Sequence, residues 1–120
     1  MNAEIPVHEQ LEAYNARDID GFMQWWTEDA QYYEFPDRLL ASGAAAIRER
    51  HVARFKEPEL YAKLLNRIVI DDLVVDHETV TRTFADGQGE VDVIAIYQVR
   101  EGKIAKAWFK LGQAQLNVST

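Results

Sequence analysis

The chain has 120 residues, enough for a single domain, and its 48% hydrophobic content supplies a core without metals or disulfides. It contains no cysteine, which excludes a disulfide framework, a thiolate nucleophile and cysteine-ligated zinc or iron–sulfur sites, and which fits a cytoplasmic location. A net charge of −7, spread along the chain, repels phosphate backbones and anionic lipid, so neither nucleic acid nor a membrane is an expected partner.

Met1 to Val7 carries Glu4 and lacks a basic stretch followed by an apolar run, so no signal peptide is expected. No apolar stretch is long enough to span a bilayer. A first helix is predicted from about Pro6 to Ala16, with Val7, Leu11 and Tyr14 on one stripe. Asp18 reads as the N-cap of a second helix, in which Ile19, Phe22 and Trp26 share a face. Gln31–Phe35 has strand composition, Pro36-Asp37 reads as a turn, and Arg38–Ser42 as a short returning strand. Gly43 precedes a third helix, roughly Ala44 to Lys56, with Ala44, Ile47, His51 and Phe55 on its apolar stripe and Pro58 beyond its end.

From Leu60 the pattern alternates, and four long strands are predicted. The turns between them fall at Asp71-Asp72, Asp86-Gly87-Gln88-Gly89 and Glu101-Gly102. Consecutive hairpins make a meander, and three amphipathic helices must bury their stripes on one face of it. The fold class is therefore α+β, with a pocket expected between helices and sheet.

Three segments carry a family resemblance. Asp18-Ile19-Asp20-Gly21-Phe22 with Trp26-Thr27-Glu28-Asp29-Ala30 resembles the opening of the nuclear-transport-factor-two-like superfamily. Gly43-Ala44-Ala45-Ala46-Ile47-Arg48-Glu49 resembles its glycine-led third helix, and Tyr97, Gly102-Lys103-Ile104 and Trp108 its last hairpin. SnoaL-like proteins and ketosteroid isomerases are the relatives suggested. The resemblance implies a cystatin-like, cone-shaped antiparallel sheet wrapped around three N-terminal helices, one domain over 1–120, commonly a homodimer. The superfamily includes isomerases, cyclases, epoxide hydrolases, dehydratases, binding modules and transport adaptors, so fold alone does not choose among them, and a purely structural or adaptor dimer is a third reading beside enzyme and binding module.

Laid on the ketosteroid isomerase pattern, Glu34 falls on the catalytic aspartate, which shuttles a proton beside a carbonyl. The alternative is an exposed strand-end carboxylate. The isomerase's oxyanion tyrosine falls on Gln10, with Tyr14 one turn further along the same face, and its oxyanion acid falls on Ala95. A lost oxyanion donor costs about 2.7–4 kcal/mol of barrier, which argues against steroid isomerisation. His51 lies on an apolar stripe and is either a core histidine or, paired with Glu34, a polarising donor.

On Leu73–Phe84, alternation puts Asp76, Glu78, Val80, Arg82 and Phe84 on one face and Val75, His77, Thr79, Thr81 and Thr83 on the other. Arg82 either holds a ligand or forms an ion pair with Glu78. Asp76-His77-Glu78 cannot share an ion, since neighbours on a strand point apart; no metal and no cofactor are expected. Trp26, Tyr32, Phe22, Tyr97 and Phe109 are the expected pocket wall, around a small apolar molecule. Trp25 and Trp26 cannot both face inward, because neighbours on a helix point about 100° apart, and Trp26, on the Ile19 and Phe22 stripe, is the one expected inside. Ile94, Ile96 and Trp108 alternate onto the far face, a candidate dimer surface. The expected chemistry is general acid–base catalysis by Glu34 with His51 or Tyr14; the rival is a binding module without catalysis.

Overall fold

The structure, a computed structural model, describes residues 2–117. Helix α1 spans Glu4–Asn15, α2 Ile19–Met23 and α3 Ala44–Arg54. Strands are β1 Trp26–Glu34, β2 Arg38–Ser42, β3 Tyr61–Ile70, β4 Leu73–Phe84, β5 Gly87–Arg100, β6 Lys103–Leu111 and β7 Gln115–Leu116. They form one unclosed, curved sheet in the order β2-β1-β6-β5-β4-β3, with β7 pairing β5 beyond the end of β6. The expected α+β class and the meander β3 to β6 are both present. One pairing departs from the antiparallel rule: β1 runs parallel to β6, because the helix α3 and the whole meander lie between them in sequence.

Asp18 caps α2 as its residue type predicts, accepting a hydrogen bond from the Gly21 backbone at 3.0 Å. The helix is shorter than the apolar stripe suggested. It stops at Met23, and Trp26 begins β1 instead of continuing the helix, five residues ahead of the expected strand. Pairing overrides periodicity here: Trp26 aligns with Ile104 of β6, whose backbone N–H donates to the Trp25 carbonyl at 2.7 Å. Trp26 is buried, as expected, but through a strand's pleat. Helix α3 starts after Gly43, whose φ of +90° is open to glycine at little cost. It ends at Arg54, four residues before Pro58. The hairpin at Glu101-Gly102 has positive φ at both residues, as a two-residue turn of this kind requires.

The helices cover one face of the sheet and leave two packed clusters. One gathers Val7, Phe22, Trp26, Ile47, Val74 and Ile104; the other Leu11, Leu60, Ala62, Val80, Val91 and Val93. Tyr14, Phe55 and Phe109 touch both, and the pocket opens between the clusters beside them. The α1 end of that pocket is pinned by Asn15, which donates to and accepts from the Ala62 backbone at 2.9 and 2.8 Å.

Candidate functional site

The pocket encloses a cavity of about 140 Å³. That is close to the ~150 Å³ known to hold one benzene ring in an engineered protein cavity. All the expected site residues line it: Tyr14, Phe22, Trp26, Tyr32, Glu34, His51, Glu78, Arg82, Tyr97 and Phe109. Phe109 and Tyr32 stack with ring centroids 4.5 Å apart and make one flat wall. The lining is more polar than a purely apolar ligand would need, since Arg50 and Arg54 of α3 join it.

The polar residues are not arranged as the sequence suggested. Glu34 sits at the mouth, half-exposed, and pairs with Arg38 across the β1–β2 hairpin at 3.6 Å. No hydrogen bond joins it to His51 among the described residues; the Glu34–His51 pair is not formed. The ring of His51 is packed between Phe22, Tyr32 and Phe55, at centroid distances of 4.5, 5.5 and 5.9 Å. Its Nδ1 lies 2.8 Å from the Ile47 carbonyl one turn back in α3. A carbonyl only accepts, so Nδ1 carries the proton and Nε2 presents a lone pair. Burial pushes the His51 pKa down to about 4, with Arg54 and Arg50 adding to the effect against the Ile47 bond. His51 is thus a neutral acceptor at pH 7 and not the donor expected of it.

The inward face of β4 carries the decisive contrast. Asp76 is fully buried and held by Arg67 of β3 through two bonds, 2.7 Å from Nε and 3.0 Å from Nη2. Register makes this pair, since Arg67 lies directly opposite Asp76. Glu78, two residues on and 5% exposed, has no such partner, and its Oε2 makes no hydrogen bond among the described residues. Burial, with the Asp76 charge beside it, raises the Glu78 pKa to about 7, while Arg67 partly opposes the rise. The expected Glu78–Arg82 ion pair is absent: Arg82 turns to Glu57, 3.7 Å away, and lies over the Phe84 ring at 5.3 Å. Four residues along a strand separate Glu78 and Arg82 by roughly 13 Å of backbone, so one guanidinium cannot serve both places.

Of the two positions where the isomerase pattern was broken, Gln10 has a neighbour of the missing kind and Ala95 does not, since the acid opposite it is already held by Arg67. Gln10 is buried and its Nε2 donates to the Tyr97 hydroxyl at 3.4 Å, leaving that hydroxyl's own proton free to donate. Ala95 lies opposite Asp76 in the β4–β5 register. Burial holds the Tyr97 and Tyr14 phenols well above their ordinary values, so both are protonated donors. Sequence alternation identified the inward faces, but not that Glu78 would be left over once Arg67 had taken Asp76. Two acids on one inward face with a single arginine opposite was the available signal.

Three buried polar side-chain atoms have no hydrogen-bond partner among the described residues: Trp26 Nε1, Glu78 Oε2 and Arg82 Nε. All three residues line this one pocket. Buried orphans of this kind cost about 1–3 kcal/mol each, and their concentration in one cavity makes it the candidate binding site.

The SnoaL-like domain family matches residues 7–107. The chain belongs to that family. Solved structures agree in fold. An uncharacterised cystatin-fold protein from Novosphingobium aromaticivorans is 24% identical, with 91% of this chain and 97% of that one superposed at a TM-score of 0.83. A candidate polyketide cyclase from Sinorhizobium meliloti is 19% identical over 91% and 99%, at 0.74. TerC, crystallised with polyporic acid, is 19% identical over 89% and 88%, also at 0.74. These likenesses show the NTF2-like fold of this SnoaL-like chain and not its reaction. No curated protein matches it in sequence. No group of metal-ligating side chains is found among the described residues, and no helix there is long and apolar enough to cross a membrane.

Proposed function

We propose that this SnoaL-like protein is a general acid–base enzyme that moves a proton beside the carbonyl of a small ring compound, with Glu78 as the proton carrier. The observation that carries this reading is the buried, unpartnered Glu78 Oε2 in the pocket, on a carboxyl whose pKa of about 7 lets it give and take protons near neutrality. In its ionised form Glu78 takes a proton from the carbon next to the carbonyl. The electron pair moves onto the carbonyl oxygen, where Tyr97 or Tyr14 donates a hydrogen bond to the growing charge. The neutral Glu78 then returns the proton to carbon or oxygen, and the cycle closes. His51, as an acceptor, orients a hydroxyl of the substrate. Glu34 lies half-exposed beside Arg38, at the mouth of the pocket.

Similar proteins include a candidate cyclase and a protein crystallised with polyporic acid, which is consistent with ring-bearing substrates. The test is deuterium exchange at the carbons beside the carbonyl of cyclohexanone, a one-ring ketone, in D₂O, followed by NMR. The protein should accelerate exchange, Glu78→Gln should reduce the acceleration about 100-fold or more, and Glu34→Gln should change it only a few-fold. Equal rates in wild type and Glu78→Gln would refute the role. Saturable binding with no exchange would favour the binding module.

We infer in addition that the convex sheet face pairs with a second copy of the chain. Its support is a single apolar row in register across six strands: Ile68, Val75, Ile96, Trp108, Tyr33 and Leu39. Ile68 and Leu39 are about half exposed, and Trp108 stacks on Tyr33 at 5.9 Å. An apolar band of this length on an otherwise acidic protein suits an isologous partner.

A further inference from the structure

The arginines of the pocket outnumber their partners. Arg54 of α3 and Arg82 of β4 converge on one carboxylate, Glu57, whose Oε2 lies 3.3 Å from Arg54 Nε and 3.7 Å from Arg82 Nη2. Its other oxygen accepts from the Thr83 backbone at 2.9 Å. All three side chains are largely buried, with 24%, 19% and 18% exposed for Arg54, Arg82 and Glu57. Arg82 Nε is buried without a partner among the described residues, and the guanidinium is fixed over Phe84. A third arginine, Arg50, lies over the Tyr32 ring at 5.3 Å. In a chain of net charge −7, this concentrates positive charge at one end of one cavity.

We propose that the ligand is a planar ring compound bearing a carboxylate, with the carboxylate bound by Arg82 and Arg54 and the ring lying over Val80 toward Glu78. The chemistry follows from the donors. A guanidinium presents paired N–H groups that match a carboxylate, and two arginines held by one acid retain unused donors and a surplus charge. Burial and the charge of Arg54 already disfavour the charged form of Arg82, so a second anion relieves a strain that Glu57 only partly offsets. The spacing fits one ring. Arg82 and Glu78 lie on the same face of β4, with buried Val80 between them, and the Tyr32–Phe109 wall is beside it. A carboxylate anchored at Arg82 leaves the far edge of the ring facing the Glu78 carboxyl. This assignment names the substrate class of the acid–base site above and rests on that reading for the reacting end alone.

The test is equilibrium binding of cinnamate and of the neutral isostere cinnamamide to the whole protein, titrated by NMR of backbone amides. Wild type is expected to bind cinnamate about tenfold more tightly than the amide. Arg82→Gln, or Arg54→Gln, should remove most of that preference while leaving the amide's affinity alone. Glu57→Gln keeps an oxygen for Thr83 but frees both guanidiniums, and should tighten cinnamate several-fold. Glu78→Gln should keep the preference; a wild type that selects cinnamate but does not accelerate deuterium exchange would defeat the acid–base reading and not this one. Equal binding of acid and amide by wild type, binding of neither, or a preference undiminished in both arginine variants would overturn the assignment.

Discussion

Asp76 and Glu78 are both acids on the inward face of β4, and one arginine decides their different chemistry. Arg67 lies opposite Asp76 and neutralises it; Glu78 has burial and a like charge nearby, which Arg67 opposes only in part. Linkage makes this visible in stability. Glu78 titrates near 7 in the fold against 4.5 ordinarily, so the folded state holds an extra proton between those values. Its contribution is complete below 4.5 and is lost as pH rises through 7, at up to about 1.4 kcal/mol per pH unit. His51 acts in the opposite sense. Its pKa falls from 6.5 to about 4, so its contribution is complete above 6.5 and is lost as pH drops toward 4. The two slopes oppose each other between 4.5 and 6.5, and wild-type stability there should be nearly flat. Glu78→Gln removes one slope. Urea denaturation should show the variant gaining on wild type from pH 4.5 to 7, by roughly 3 kcal/mol in all, and no further above 7. A constant difference across that range would mean Glu78 titrates normally.

At the scale of elements, what was readable in the sequence was whatever local rules decide alone. Arg38–Ser42 forms the short strand predicted for it, and the β4 faces divide as alternation requires. Asp18 caps α2, and Asp18→Ala should cost about 1 kcal/mol by urea denaturation, with the pocket's ligand affinity falling in parallel because Phe22 is carried on that helix. An unchanged midpoint would mean α2 is held by packing alone. Trp26 shows where local rules fail. Its spacing from Ile19 and Phe22 fits a helix, yet pairing with β6, nearly 80 residues later, draws it into a strand. The Glu34–His51 pair failed for a related reason: Arg38, brought opposite by the hairpin, and the Ile47 carbonyl satisfied those groups first. Strand alternation placed Glu78 and Arg82 on one face but could not say which partners a third element, the segment carrying Glu57, would bring.

At the scale of the whole molecule, the two faces of the sheet differ. The concave one holds the pocket; the convex one carries the apolar row from Ile68 to Leu39, with Ile94 exposed beside it. Light scattering at micromolar protein should give a dimer, and Trp108→Lys should give a monomer with an unchanged helical spectrum, since the substitution puts a charge at the centre of the row. A wild-type monomer would contradict the second-copy assignment but leave the pocket untouched. Cavity size bears on the reaction as well: about 140 Å³ admits one ring and not the four of a steroid, in keeping with the altered Gln10 and Ala95 positions. The acid–base role assigned to the pocket depends on Glu78 exchanging its proton near neutral pH. The direct measurement is a carbon-13 NMR titration of the glutamate side-chain carboxyls, with the Glu78 signal identified by its loss in Glu78→Gln. One carboxyl should show a midpoint near 7 and be absent from the variant; a Glu78 midpoint at its ordinary value of 4.5 would contradict the role.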